Sequence, residues 1–139
     1  MSLNPNYNNH KQERHYVYRI FDKDGRLIYV GCSHNPEKRL NQHRRTMWWA
    51  HQIHRIKLTV HPNKAAGHLA ERTAINAEQP RWNLTGRWVH RATWTSQDYA
   101  DYITASLNGP EVRGVRLQRV EKARRLMQVQ IAKEQQRGD

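Results

Sequence analysis

Two short runs of β-branched and aromatic residues, joined by a turn, constrain the fold of this chain more than any other feature. They occupy residues 15–21 (HYVYRIF) and 27–32 (LIYVGC), and the DKDGR sequence between them includes a glycine that tolerates positive φ. The pattern predicts a β-hairpin. Because side chains alternate between the faces of a strand, Tyr18 and Tyr29 can meet on one face, beside Gly31, where backbone or ligand can approach closely. Taken alone, the two tyrosines are more typical of packing across a sheet than of a site.

The remaining pattern predicts one further strand and four helices. A helix begins at Pro36 with Asn35 as its N-cap. Alternating apolar residues predict the third strand, and Pro80 ends the alanine-rich helix that follows it. The predicted elements span residues 36–48 (helix), 55–61 (strand), 64–79 (helix), 96–107 (helix) and 111–139 (a basic amphipathic helix).

The composition favours one small domain in a reducing compartment. The chain has 139 residues, of which 37% are hydrophobic, and its mean hydropathy is −1.05, so the core is small. No apolar run approaches the length of a membrane span or resembles a signal peptide, so we expect no membrane association and a cytoplasmic location. Cys32 is the single cysteine, which excludes an intrachain disulfide and a cysteine-based zinc site.

The charge predicts the class of partner. Lys and Arg number 24 against 12 Asp and Glu, a formal net charge of +12. The excess is spread along the chain and is not confined to a tail. Polyanions, above all nucleic acid, are the expected partners, because each neutralised phosphate releases counterions. Charge alone does not distinguish a nuclease from a structural binding protein.

A few polar residues have the chemistry that phosphodiester hydrolysis needs. Arg39 and His43 lie four apart on the first predicted helix and therefore project from one face. Glu71 is the only acidic residue between Glu37 and Glu78. A single carboxylate in basic surroundings suits a hard cation such as Mg²⁺ that keeps much of its water. Considered one at a time, these residues are more typical of a solvated surface.

Taken together and in order, these motifs resemble the GIY-YIG nuclease family. In that family a Gly-Ile-Tyr strand pairs with a Tyr-Ile-Gly strand. The resemblance covers about residues 15–84, and the one departure is Tyr16, where the family has glycine. It is carried by Tyr16-Val17-Tyr18, Tyr29-Val30-Gly31, Arg39, His43, Glu71 and Asn83.

The resemblance implies an α+β fold, a three-stranded antiparallel sheet flanked by helices, with a helical extension at the C-terminal side. It implies a GIY-YIG nuclease domain at residues 14–86, in a bacterial or phage-infected cell. The asparagine-rich residues 1–13 lack periodicity and are expected to form a flexible leader, and residues 87–139 are expected to form a basic helical extension. The basic residues beside the site and along the last helix are candidate nucleic-acid contacts, and a solvated face is the alternative. They are Lys38, Arg44, Arg45, Arg113, Arg116 and Arg119.

The resemblance also implies a role for each site residue. Tyr18 would be a base or water-positioning group, with Tyr29 as its hydrogen-bonding partner. Arg39 would hold the scissile phosphate, and His43 would assist by a hydrogen bond or proton transfer. Glu71 would bind one Mg²⁺ or Mn²⁺. The residues that would support the site are Asn83 and Gly31.

The expected function is therefore that of a metal-dependent DNA endonuclease. Two alternatives stay open, namely a catalytically silent nucleic-acid-binding module of the same fold and an RNA-directed nuclease. No zinc finger or helix-turn-helix signature appears in the extension, so we expect specificity to be low, directed to double-stranded or branched DNA structure, or supplied by a protein partner.

Histidines and tryptophans invite two further interpretations. His51 and His54 have a ligand-like spacing, but without cysteines or an HExxH motif, histidines that are neutral or face phosphate are favoured over a zinc site. The tryptophans could stack on unpaired bases. Packing against the appended helices is at least as probable a role for Trp82 and Trp88.

Overall fold

The computed structural model describes residues 13–84, 93–110 and 116–138. The predicted leader therefore lies almost wholly outside the described residues, as do Trp88 and Arg113. The chain divides into two compact units. Of the described residues, the first unit holds 13–42 and 52–84, and the second holds 43–51, 93–110 and 116–138.

The described elements follow the predicted order. The helix predicted to reach residue 48 ends earlier, before the two adjacent tryptophans, and a short 3₁₀ turn follows at Ala50–Gln52. The last helix begins after the undescribed residues 111–115. The elements are β1 (His15–Phe21), β2 (Leu27–Ser33), α1 (Pro36–Thr46), β3 (Arg55–His61), α2 (Lys64–Glu78), α3 (Ser96–Asn108) and α4 (Arg116–Arg137).

The strands form one antiparallel sheet in the order β2-β1-β3, which confirms the predicted fold class. In this register Tyr18 lies between Gly31 and Leu58. The hairpin turn needs its glycine, since Gly25 has a φ of 80°. The Asp22 carboxylate accepts hydrogen bonds from two backbone N–H groups inside the turn, at 3.0 and 2.9 Å, an arrangement that favours tight chain reversal.

Asparagine caps fix where α1 and α2 begin. The Asn35 side chain accepts a hydrogen bond from the Lys38 N–H at 3.1 Å, as the sequence predicts. The Asn63 side chain does the same for the Ala66 N–H at 2.9 Å. At its other end α2 stops in a left-handed residue, Gln79, with φ 50°, because Pro80 disfavours a helical conformation in the residue before it.

One face of the sheet and α2 share the core of the first unit. Val17 and Val30 pack against Ala74 and Ile75 of α2. Because strand side chains alternate, Tyr18 lies on the opposite face of β1. On β3 that opposite face is open, and Leu58 is 50% exposed.

The second unit has an aromatic core between helices. α3 begins with a capping box, in which the Thr95 hydroxyl and the Asp98 carboxylate each accept a hydrogen bond from the other residue's backbone N–H. Trp48 packs edge-on against Tyr102, with ring centroids 4.8 Å apart. Trp94 lies 5.6 Å from the same tyrosine. Within the described residues, no helix is long and apolar enough to cross a membrane.

Candidate active site

Tyr18 and Tyr29 lie side by side on the face of the sheet away from the valine core. Their ring centroids are 6.3 Å apart and their planes differ by 25°. Tyr18 is almost fully buried, at 1% exposure. Its ring crosses Gly31 on the neighbouring strand so closely that a methyl group built on Gly31 would overlap the phenol. The group that approaches Gly31 closely is therefore the side chain of Tyr18.

Arg39 and Glu71 both act on this tyrosine pair. Burial raises the pKa of Tyr18 well above its ordinary value, and the neighbouring Tyr29 raises it further. Arg39 lowers the same pKa by its charge and by a hydrogen bond, whereas the Glu71 charge raises it. For Tyr29, burial again raises the pKa, Glu71 raises it and Arg39 lowers it. Residues from β1, β2, α1 and α2 are thus brought together as the sequence predicts.

The raised pKa keeps Tyr18 a neutral phenol and makes its deprotonation harder than that of an ordinary tyrosine. A tyrosine that acts as a free base needs a lowered pKa, and here desolvation outweighs the opposing effect of Arg39. The geometry therefore favours the second of the two predicted roles, in which Tyr18 orients water or phosphate oxygen through hydrogen bonds.

The raised tyrosine pKa values predict a loss of stability in alkali. Below the ordinary pKa of about 10, both folded and unfolded states carry neutral phenols, and the tyrosines add no pH dependence. Above it the unfolded chain loses protons that the folded protein keeps, so the free energy of unfolding falls by up to about 1.4 kcal/mol per pH unit for each such group. Urea unfolding across this range should show a shallower fall for Tyr18→Phe than for wild type.

Comparing wild type with Tyr18→Phe separates the alkaline effect of Tyr18 from that of the Cys32 thiol. Burial raises the pKa of Cys32 to about 11, so Cys32 adds its own alkaline dependence to both proteins. Equal slopes for wild type and Tyr18→Phe would contradict the assignment of a raised pKa to Tyr18.

Glu71 has the chemistry of a single hard ligand. Its carboxylate is half-buried, and Oε1 lies 3.8 Å from Nδ1 of His68, one turn earlier on α2. Across residues 13–84, 93–110 and 116–138, no group of three or more His, Cys, Asp and Glu side chains is placed to hold a metal ion. One carboxylate fits Mg²⁺ or Mn²⁺, which retain water ligands, and does not fit a multi-ligand zinc site.

Asn83 holds the outer edge of β2. Its Oδ1 accepts a hydrogen bond from the Val30 N–H at 2.8 Å, and its Nδ2 donates to the Val30 carbonyl at 2.9 Å. The preceding backbone continues this pairing, since the N–H groups of Arg81 and Trp82 donate to Leu27 and Ile28. Asn83 therefore fixes the backbone of β2 between Tyr29 and Gly31, and it supports the site in this way.

Removing the Asn83 amide should destabilise the first unit. Asn83→Ala leaves a buried donor and a buried acceptor of Val30 without partners, at about 1–3 kcal/mol each. We expect the free energy of unfolding, measured in urea, to fall by at least about 2 kcal/mol. Asn108→Ala, an exposed substitution at the end of α3, is the control and should change it little. A loss below 0.5 kcal/mol in Asn83→Ala would contradict this role.

His43 lies one turn beyond Arg39 in α1 and belongs to the second unit. It is buried, at 3% exposure, and its ring lies 5.7 Å from that of Trp49. The departure from the family pattern, Tyr16, is half-buried at the start of β1, where it pairs with Ser33 and Val60. Because this position is only partly buried, it accommodates the larger side chain.

The predicted nucleic-acid contacts divide into two groups. Lys38, Arg44 and Arg45 are exposed on α1. On α4, the Arg116 guanidinium donates to the Gly109 carbonyl, and Arg119 lies over the Trp48 ring at 5.7 Å. These two arginines make contacts inside the second unit, and their binding of DNA stays a prediction.

Several residues that line one cavity lay outside the predicted site, and four of them are basic or histidine. His15, His34, Lys64 and His68 surround a cavity next to Arg39. Three of them lie at the edges of predicted elements. His15 begins the first strand, His34 lies between the second strand and the first helix, and Lys64 begins the next helix. Individually they match no motif.

The comparisons agree with the fold class. A family model described as the GIY-YIG catalytic domain matches residues 14–84, about half of the chain. The sheet and its tyrosine pair thus define a nuclease domain of the α+β class. The chain belongs to the GIY-YIG family.

Three similar curated proteins are much longer than this chain. This chain is 33% identical over 75 residues to "UvrABC system protein C" of Francisella tularensis subsp. holarctica (strain FTNF002-00 / FTA). The proteins of the same name from subsp. novicida (strain U112) and subsp. mediasiatica (strain FSC147) give the same identity over the same length. The aligned region is 49% of this chain and 12% of each relative. No solved structure matches the chain.

Proposed function

We propose that this protein is a metal-dependent DNA endonuclease that hydrolyses phosphodiester bonds with one divalent cation. One observation carries the proposal. Arg39 and Glu71 both shift the pKa values of Tyr18 and Tyr29. A cation and a carboxylate that both act on two phenols supply the kinds of group that phosphodiester hydrolysis requires.

Arg39 holds the scissile phosphate. Its side chain is exposed and its guanidinium donates to the Gln42 amide oxygen at 2.8 Å, which restrains it while other donors stay available. A planar guanidinium fits two phosphate oxygens and stabilises charge that builds on them. Tyr18, hydrogen-bonded to the same guanidinium, positions the attacking water, and Tyr29 packs beside it.

Glu71 holds the divalent cation, and His43 and Asn83 assist. A bound Mg²⁺ or Mn²⁺ would supply positive charge to the phosphate and to the oxygen that leaves. Glu71 offers one carboxylate for it, and water and phosphate complete the coordination. Asn83 keeps β2 in register behind the tyrosines. His43 would contribute a hydrogen bond or a proton.

DNA is the proposed substrate because the chain carries a net charge of +12 and belongs to a nuclease family. We propose double-stranded or branched DNA, with low sequence specificity or specificity supplied by a protein partner. Cleavage of matched linear and branched duplexes, with RNA of the same sequence in parallel, distinguishes these substrates.

Arg39→Ala tests the proposal against a charge-matched control. Loss of a charge-stabilising group of this kind costs about 10²–10³ in rate, so we expect plasmid nicking to fall by that factor. Arg26→Ala removes another exposed arginine, from the hairpin turn, and should keep most of the activity. Equal activities would refute the assigned site. Binding of both DNA and RNA without any cleavage by wild type would favour the silent module.

A further inference from the structure

We propose that a cavity between the starts of α1 and α2 binds a second backbone phosphate of the DNA strand, beside the phosphate held by Arg39. The inference rests on the proposed function, because the two phosphates belong to one strand. The cavity has a volume of about 590 Å³ and lies wholly within the first unit. Its wall includes His34, Lys38, Arg39, Lys64 and His68.

The side chains of this cavity are chemically suited to an anion. Three of the lining residues are Lys or Arg, three are His, and none is Asp or Glu. The histidine rings stand together, with the His15 centroid 5.9 Å from that of His34 and 6.1 Å from that of His68. Such a wall offers N–H donors to phosphate oxygens. One carboxylate outside the wall, that of Glu71, lies 3.8 Å from Nδ1 of His68.

Two helices also begin at this cavity. The residues before α1 and the first residue of α2 line it. The start of a helix carries partial positive charge from backbone N–H groups without helical partners, and this charge favours anions. The two helix starts and the basic side chains therefore all favour a bound anion.

Lys64 occupies a position that is unfavourable for folding. It is the first residue of α2, whose first turn contains no acidic residue. A cation at a helix start is destabilising. Lys38 lies in the first turn of α1, where Glu37 offsets part of the same disadvantage. A bound anion compensates for both placements. Replacing such a lysine should therefore weaken anion binding while the stability of the free protein is kept or raised.

The size and position of the cavity indicate a strand and not a free ion. Its volume falls within the range of sites that accept a ligand of nucleotide size. Arg39 lines it and also acts on Tyr18. A strand that places the scissile phosphate on Arg39 therefore presents its adjacent phosphate to Lys64 and the histidine wall.

The salt dependence of duplex binding tests this subsite. Loss of one phosphate contact lowers the slope of log K against log salt by about 1. We expect this reduction for Lys64→Gln, and we expect unchanged or higher stability to urea, because the helix start loses an unfavourable charge. The control, Lys23→Gln, removes an exposed lysine from the hairpin turn and should leave the slope unchanged. His34→Gln should weaken binding without unfolding the protein.

The outcomes separate the subsite from the proposed function. An unchanged slope in Lys64→Gln, or equal reductions in both lysine variants, overturns the subsite even if wild type cleaves DNA. A reduced slope in Lys64→Gln alone supports the subsite even if wild type cleaves nothing, in which case only the proposed function fails. Displacement of the duplex by low concentrations of a deoxynucleoside monophosphate would identify free nucleotide as the ligand and overturn the backbone assignment.

Discussion

Glu71→Gln is expected to lower the Mg²⁺-dependent rate of DNA cleavage by about a hundredfold or more, because the amide removes the one negative charge offered to the cation. The protein should stay folded, since Glu71 is half-buried and lies on the side of α2 that reaches solvent. Single-turnover cleavage over a range of Mg²⁺ concentrations measures the effect. DNA binding without metal should be retained or strengthened, because a negative charge is lost near the phosphate.

Glu78→Gln is the matched control for this substitution. It makes the same change two turns later on α2, where Glu78 forms a bidentate ion pair with Arg19 at 2.7 and 2.9 Å. The pair is exposed and should stabilise the protein by no more than about 1 kcal/mol. Cleavage should be nearly unchanged. If the two variants lose activity equally, Glu71 has no special role.

Gly31→Ala should disable the site by moving Tyr18. The added methyl group meets the Tyr18 phenol at overlapping distance, and Tyr18 is buried and has little room to yield. We expect a loss of about 1–3 kcal/mol in the free energy of unfolding. A displacement of about 1 Å in a catalytic group lowers rates by about a hundredfold, so cleavage should fall by that factor in fully folded protein.

Gly25→Ala separates the loss of stability from the loss of activity. Gly25 has a φ of 80° and no atom within 4 Å of an added methyl group. An L-residue in this conformation costs about 1–2 kcal/mol, a loss similar to that in Gly31→Ala. The turn is remote in sequence from Arg39 and Glu71, so cleavage per folded molecule should be kept. Equal losses of activity in the two variants would mean that the Tyr18–Gly31 contact is not specific to the site.

The elements that follow from local chemistry were predictable from the sequence. The hairpin was predictable because its turn contains a carboxylate that accepts backbone N–H groups and a glycine with positive φ. The start of α1 was predictable because Asn35 caps it. The sequence order of Arg39 and Glu71 was sufficient to expect them beside the tyrosines, once the family pattern was recognised.

Features that depend on packing could not be predicted. The alternation in β3 does not mark a buried face, since Leu58 and Val60 are exposed at 50% and 58%. Burial also raises the pKa values of Tyr18 and Tyr29. The extent of burial depends on packing and cannot be predicted from the residues next to each tyrosine. The role of Asn83 as a substitute strand partner for Val30 depends on a hydrogen bond across 53 residues of sequence. The domain boundaries stay predictions.

The central claim is that the Tyr18, Tyr29, Arg39 and Glu71 cluster is a metal-dependent phosphodiester-cleaving site. Conversion of supercoiled plasmid to nicked or linear DNA by the wild-type protein, with Mg²⁺ and then with chelator, tests it most directly. We predict cleavage that requires the metal, stops on chelation and resumes when Mg²⁺ is restored. Tight binding without cleavage in Mg²⁺ and in Mn²⁺, or cleavage that persists in chelator, would contradict it.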